Sequence, residues 1–493
     1  MYKIKLSPFL RDLLTTSLTS FAVTISLIFV TGLLAKGLGP EEFGAYSLAR
    51  RFIANVAPLI LLSMGVSLRR YVAMCGQKSM QGTYIITSLV AIGCILFVFT
   101  GVSLIAGKQL CYIIFQDNAY LGLYYASLLF IGCYCLWVIT SSSLFGMQKI
   151  KRVNLLQFII GAVLPLSIAY LFAETKTAID IIIFIGVSHL ICLFVLIPEI
   201  MKTRGLSFRN IKKSFVTLFK YGIPRTPGDF AFAGLFSIGP FLAAHFGSLK
   251  DAGFFVIGQY VFRVMEAGIT AFGQVALPKI AQLLSLGNDG YLKTNIENLM
   301  IMIFQLGLFV TIHTFLWVGE IVYIWLGSDY LEAVPIMKIL ILSVAPYLGY
   351  VMLRSVVDAI EVRAINTLNL FISLGFSVVI SIGLQYYGLG MIGLAIGSSC
   401  GFALLGGLTA SYLVRRYKIS FKNFFILKIV LINILLALGV ILFKEYLFCF
   451  LGRYGVMISW LFLEGFVVCL YLYYLYKNEA AWMLGIKRRM VRG

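Results

Sequence analysis

The sequence predicts an all-α, polytopic membrane protein with about 14 transmembrane helices, in two pseudo-symmetric six-helix lobes plus an appended helix pair. Three observations carry that prediction. Of the 493 residues, 60% are hydrophobic and only 12% charged, whereas ordinary soluble domains are about 45 to 50% apolar. Apolar windows of about 20 residues, enough at ~1.5 Å each to cross ~30 Å of hydrocarbon, recur along the chain. A hairpin near the start also returns at an offset of 208 positions.

The windows fall at 13–35, 45–68, 83–105, 121–144, 154–173, 181–198 and 221–245, then at 252–277, 298–319, 336–359, 367–385, 391–413, 424–443 and 454–476. Residues 1–12, with Lys3, Lys5 and Arg11, form a basic lead-in suited to the inner membrane surface. The first apolar run is too long for a signal-peptide core and lacks a small-residue cleavage site, so it is expected to stay as the first span. Arg69 and Arg70 follow the second window, GMQKIKR the fourth, and RRYKISFK the twelfth. The longest basic segment, Lys202 to Lys220, is partly amphipathic and separates the sixth window from the seventh.

With the N-terminus inside, the inner segments hold 27 of the 40 Lys and Arg, the outer loops six and the spans seven. That is the positive-inside asymmetry, so the net charge of +20 reports orientation and no nucleic acid partner is expected. Both termini are expected in the cytoplasm. The domain plan is 1–201 for the first lobe, 202–220 for a basic linker, 221–414 for the second lobe and 415–493 for the appended pair with its basic tail. The longest outer loop, Glu320 to Pro335, has sixteen residues. That is too short for a catalytic domain on that side.

The repeat is read from Leu33–Phe52, LLAKGLGPEEFGAYSLARRF, and Phe241–Phe262, FLAAHFGSLKDAGFFVIGQYVF. Leu34, Ala35 and Gly39 match Leu242, Ala243 and Gly247, and one further residue brings Gly44 onto Gly253 and Tyr46 onto Phe255. Internal repeats with a site between them are a known plan for membrane transporters.

LGPEEFGAYSLA, the segment IVYIWLGSDYLEA from Ile321 to Ala333, and YGLGMIGLAIG from Tyr387 to Gly397 together resemble the polysaccharide transporter branch of the multidrug/oligosaccharidyl-lipid/polysaccharide exporter superfamily. The likeness covers most of the chain up to about Tyr417. It implies a Wzx-type flippase that carries a lipid-linked oligosaccharide, such as an O-antigen or capsular repeat unit on a polyprenyl pyrophosphate, from the inner to the outer leaflet of a bacterial cytoplasmic membrane. In relatives that flip cell-wall precursors, a helix pair like spans 13 and 14 lines a groove for the lipid tail.

No cofactor is implied by any motif. GVSLIAGK at Gly101–Lys108 has the wrong glycine spacing for a phosphate loop and is followed by Gln109 where Ser or Thr is required. GLGMIG at Gly388–Gly393 falls in a turn between two spans, not in a strand-helix unit. No nucleotide is expected, and energy would come from an ion or substrate gradient. Nine cysteines show no paired spacing and imply neither disulfides nor a metal site.

The informative residues are charges inside spans, each costing several kcal/mol unless paired or facing a wet cavity. Arg50, Arg51, Arg225 and Arg263 are the candidate substrate-binding set, because a guanidinium donates two hydrogen bonds at once to phosphate or pyrophosphate. The alternative is internal pairing: Arg225 with Asp229 at i, i+4 and Arg263 with Glu266 at i, i+3, with one of Arg50 and Arg51 snorkelling outward. Asp229 and Glu266 could instead bind a coupling proton or sodium ion. Pro224 and Pro227 interrupt the start of the seventh span and mark a candidate hinge. Two other functions stay open: a cation-coupled multidrug exporter of the same superfamily, which would favour cavity acids, and a membrane-embedded glycan polymerase or ligase, which would need a large outer catalytic loop.

Overall fold

The computed structural model describes residues 8–202, 208–266, 289–361, 363–421 and 427–442, and these are helical nearly throughout. Among the described residues, nine helices are long and apolar enough to cross a membrane, or ten when one bent pair is taken as a span. Each of the first thirteen expected spans has a helical counterpart there, in whole or in part. The fourteenth, at 454–476, lies outside the described residues, as do the C-terminal tail and most of the loop expected after Pro278.

Helix α1 (Pro8–Leu61) holds the first two spans as two limbs broken at Gly39. Gly39 has φ 76° and ψ 168°, a conformation essentially reserved for glycine. Pro40 opens the second limb, where its missing N–H removes no helical bond. Glu41 and Glu42 complement the positive end of that limb, and Glu42 Oε1 also accepts from the backbone N–H of Ala178 at 3.0 Å.

The second span does not run unbroken to residue 68 as expected. It stops at Leu62 and Ser63, both with positive φ, and resumes as α2 (Met64–Met74). The backbones come close at this break: a Cβ on Gly222 would stand 2.4 Å from the Leu62 carbonyl oxygen. Helices α3 (Lys78–Ile105), α4 (Gly107–Phe115), α5 (Leu121–Gly146), α6 (Ile150–Phe158), α7 (Leu164–Phe172), α8 (Ala178–Ser188) and α9 (Leu193–Met201) complete the first repeat. Between α6 and α7 a π turn, Ile159–Val163, precedes Pro165, which cannot donate a ladder bond. Buried Glu199 on α9 pairs with Lys149 and Arg152 beside α6 and with Lys202.

Helix α10 (Phe208–Gly222) falls on the expected linker, and the second repeat follows as α11 (Thr226–Phe246), α12 (249–266), α13 (Asp289–Leu326), α14 (Val334–Ile341), α15 (Val344–Ile360), α16 (Ile365–Tyr386) and α17 (Gly390–Tyr417). Helix α18 (Leu427–Leu442) comes next. Helix α10 packs on α2 and α3 of the first repeat. The expected outer loop from Glu320 to Pro335 is largely helical: α13 continues to Leu326, and a 3-10 turn covers Ser328–Ala333. The expected span 336–359 is two helices, α14 with its preceding turn and then α15, bent by 52°. Small residues let α16 and α17 approach: Gly397 lies over Ser381 and Gly401 over Ser377.

The repeats meet at both ends. At one end Gly44 and Gly253 lie against each other, Tyr330 donates to the Ala35 carbonyl at 2.7 Å, and Trp325 donates to the Ile28 carbonyl at 2.9 Å. At the other, Ser63 donates to Asp229 at 2.6 Å and Ser67 to the Leu218 carbonyl at 3.0 Å.

Candidate functional site

Between these two ends lies a cavity of about 510 Å³. Its walls are the first limb of α1, where Ser17, Ser20, Thr24 and Thr31 face it, the second limb with Tyr46, Ser47, Arg50 and Arg51, and α12 with Gln259, Tyr260, Arg263 and Glu266. Ser17 to Thr31 is fourteen residues, so the cavity extends ~21 Å along that limb.

Arg51 donates from Nη2 to Oε1 of Gln259 at 2.6 Å, and its guanidinium lies 5.9 Å from the Phe236 ring centre. Arg263 lies 5.2 Å from the same ring and 3.8 Å from Glu266. Glu266 accepts in addition from the Tyr347 hydroxyl at 3.0 Å. Arg50 rests 4.7 Å over the Phe130 ring. Among the described residues no carboxylate lies within 4 Å of the Arg50 or Arg51 guanidinium. Among the described residues the cavity thus holds three arginines and one carboxylate, a cationic balance with that pair formed. Because the Gln259 oxygen faces Arg51, its amide NH2 is left buried without a partner, a donor available to an anion.

The structure brings Arg50, Arg51, Arg263 and Glu266 together, and neither Arg50 nor Arg51 is turned out to the lipid face: both line the cavity. It does not bring Arg225 to them. Arg225 stacks 3.8 Å from the Tyr221 ring centre and donates to the Tyr221 carbonyl at 2.7 Å, on the exposed surface near α2. Asp229 is held by Ser63 across the repeat boundary, not by Arg225. Pro224 lies in a 3-10 turn, Ile223–Arg225, and Pro227 in the first turn of α11; the backbone passes through this turn with right-handed helical φ and ψ at Gly222, Arg225 and Thr226, and Ile211–Phe246 has the length and apolarity of a single span.

Sequence reading missed Gln259, Tyr260, Tyr46 and Gln157 as wall residues. The signal was present for the glutamines, since each is an uncharged polar side chain inside an otherwise apolar helix. Among the described residues no cluster of His, Cys, Asp and Glu is arranged to hold a metal ion.

No protein-family model matches the chain, and no curated protein matches its sequence. Solved structures do match. The lipid II flippase MurJ in an inward closed conformation aligns with a TM-score of 0.72 at 17% identity, over 94% of this chain and 99% of that one. The chain has that flippase's fold. An inward-facing multidrug resistance MATE transporter of the MOP superfamily aligns with a TM-score of 0.67 at 14% identity, over 82% and 98%. A MOP superfamily transporter from Pyrococcus furiosus, described by the reverse polarity of its binding pocket, aligns with a TM-score of 0.56 at 15% identity, over 83% and 96%. In this chain that shared fold places the three arginines on the facing walls of its two repeats.

Proposed function

We propose that the protein is a flippase for a lipid-linked oligosaccharide, moving it from the inner to the outer leaflet of a bacterial cytoplasmic membrane by alternating access. The observation that carries this reading is the surplus of arginine in the cavity: Arg50 and Arg51 have no acid partner among the described residues, and Arg263 shares one. An intramembrane charge costs about 2.5–3.5 kcal/mol at mid-bilayer, so three arginines in one cavity call for an anion there. The pyrophosphate of a polyprenyl-linked glycan supplies it, and each guanidinium can take two of its oxygens. The sugars then occupy the polar wall of serines, threonines and tyrosines.

In the same reading, residues 1–201 and 221–414 are the two moving lobes, 202–220 is a cytoplasmic linker, and 415–493 is an appended pair with its tail, both termini being cytoplasmic. Pro224 and Pro227 form a hinge at the inner mouth, and Arg225 stands at that mouth, outside the cavity. Glu266 either balances Arg263 or takes part in coupling to a proton or sodium ion.

Multidrug resistance is named for one structural neighbour, and export of cationic drugs would call for the opposite charge in the cavity. Deleting the gene in its own host separates the two. A flippase leaves its lipid-linked glycan accumulating on the cytoplasmic leaflet, and ethidium efflux stays unchanged. Normal glycan export with lost ethidium efflux would overturn the proposal.

A further inference from the structure

Beside the large cavity lies a second one of about 440 Å³, and Arg50 and Ala54 border both. Its other lining includes Arg69, Ser63, Tyr134, His189 and Asp229. It runs from Arg50 along the second limb of α1 to α2, toward the end of the molecule where the repeats meet at Ser63 and Asp229.

Arg69 is anchored at that end. Its Nε donates to Ser142 at 3.3 Å, and its guanidinium sits 4.7 Å from the Phe145 ring centre. Among the described residues no carboxylate lies within 4 Å of it. The one acid on the cavity wall, Asp229, is engaged by Ser63, and buried His189 is tied through Nδ1 to the Ile185 carbonyl at 2.8 Å. The only free cationic donors on this wall, among the described residues, are therefore Arg50 and Arg69. The wall also carries strained backbone at Ser63, φ 50°, of the kind that persists where function requires a geometry. That strain is what breaks the helix between Arg50 and Arg69 and turns α2 into the wall.

We propose that this second cavity is a separate phosphate- or pyrophosphate-binding site, formed by Arg69 and Arg50, which receives the anionic group before Arg51 and Arg263 do. The inference rests on the flippase reading and adds an earlier station to it. Arg50, common to both walls, passes the anion from one cavity to the other, so the charge is never without a guanidinium along the way. Fixing one end of Arg69 on Ser142 leaves its terminal Nη groups as the donors for the ligand.

The test uses the full-length purified protein in detergent and two probes, farnesyl pyrophosphate and inorganic pyrophosphate, with binding followed by calorimetry. Removing Arg51 and Arg263 together, as R51A/R263A, leaves the second site intact, so measurable binding persists. Adding R69Q to that double variant lowers the remaining affinity at least about tenfold. R69Q keeps a donor at the Nε position toward Ser142 but loses the guanidinium contact with Phe145, and a monodisperse elution profile confirms that the fold survives. Loss of both probes assigns the site to the anion itself, and loss of the farnesyl compound alone assigns it to the lipid headgroup; either supports the proposal. Unchanged residual binding with R69Q, or no residual binding in R51A/R263A, overturns the second site and leaves the flippase reading standing. Failure of the unmodified protein to bind either probe overturns both.

Discussion

Gly44 and Gly253, matched positions of the two sequence repeats, lie against one another across the repeat boundary. A Cβ on Gly253 would stand 3.2 Å from the Gly44 Cα, and one on Gly44 would stand 1.8 Å from the Leu249 carbonyl oxygen. The neighbouring atoms are backbone and cannot swing away. Gly44→Ala is therefore expected to force the repeats apart at this end and to destabilise the protein by about 1–3 kcal/mol or more. Gly93→Ala is the control, since nothing lies within 4 Å of its added carbon. Melting in detergent should fall clearly for the first and stay level for the second; equal melting temperatures would remove the packing argument.

The bond between Arg51 and Gln259 offers a test of charge without loss of shape. Gln259→Glu replaces an amide by an acid of the same size, so Arg51 gains an ion pair and the cavity loses one net positive charge. Stability is expected to hold while affinity for an isoprenyl pyrophosphate falls at least about tenfold. Titration calorimetry on the two proteins measures it. Tighter binding in the variant would rule out an anion in this cavity.

Arg263 needs a double variant whose second change respects Tyr347. Replacing Glu266 with leucine would strand the Tyr347 hydroxyl, so the pair to compare is Arg263→Met with Glu266→Gln, in which the amide oxygen still accepts that hydroxyl. If Arg263 serves only to neutralise Glu266, removing both charges is close to neutral, and transport persists. Failure of the double variant alongside Arg263→Ala, with partial rescue by Arg263→Lys, is the expected result. Glycan export in the deletion host, at matched expression, reads all three.

Glu199 predicts a stability effect away from the cavity. Its buried carboxylate gathers Lys149, Arg152 and Lys202, tying α9 to the start of α6. Glu199→Ala leaves three cations facing each other and is expected to cost about 3 kcal/mol or more. Lys202→Ala removes one exposed, 3.9 Å contact and should cost under about 1 kcal/mol. Comparable losses in melting temperature would mean that Glu199 is no organiser.

Pro224 and Pro227 test the hinge. Both proline positions can be filled by alanine without losing a side-chain hydrogen bond, and the change restores backbone N–H donors at the 3-10 turn between α10 and α11. Slower export at normal abundance is the expected outcome. Unchanged export would take bending at the start of α11 out of the mechanism.

Much of the fold was legible because hydrocarbon imposes a simple rule: backbone polar groups must be satisfied within each span, so long apolar windows become helices. The repeat was legible too, and the contact of Gly44 with Gly253 follows from residues aligned by sequence alone. The breaks were not. Leu62 and Ser63 interrupt a helix although neither is a proline or glycine, and the residue packed against the break, Gly222, is 160 positions away. The bend between α14 and α15 likewise sits in an apolar run, at Leu342 and Ser343. At the site, charge inside a span identified Arg50, Arg51 and Arg263, but the same rule pointed to Arg225, which folds back onto Tyr221. A one-dimensional charge cannot say whether the nearest aromatic ring will hold it at the surface.

Gly39 joins the two limbs of α1 through one non-helical residue, and that makes the hairpin a lever with a single pivot. Ser17 on the first limb is 22 residues from the pivot, ~33 Å along the helix, while Arg50 on the second is eleven residues away, ~16 Å. A change of about 10° in the angle between the arms, with either held fixed, carries Ser17 by on the order of 6 Å or Arg50 by about 3 Å. The serine- and threonine-bearing wall therefore travels about twice as far as the wall that holds the arginines. A small torsion at one glycine can widen the cavity on its hydroxyl-lined side while the arginines shift little.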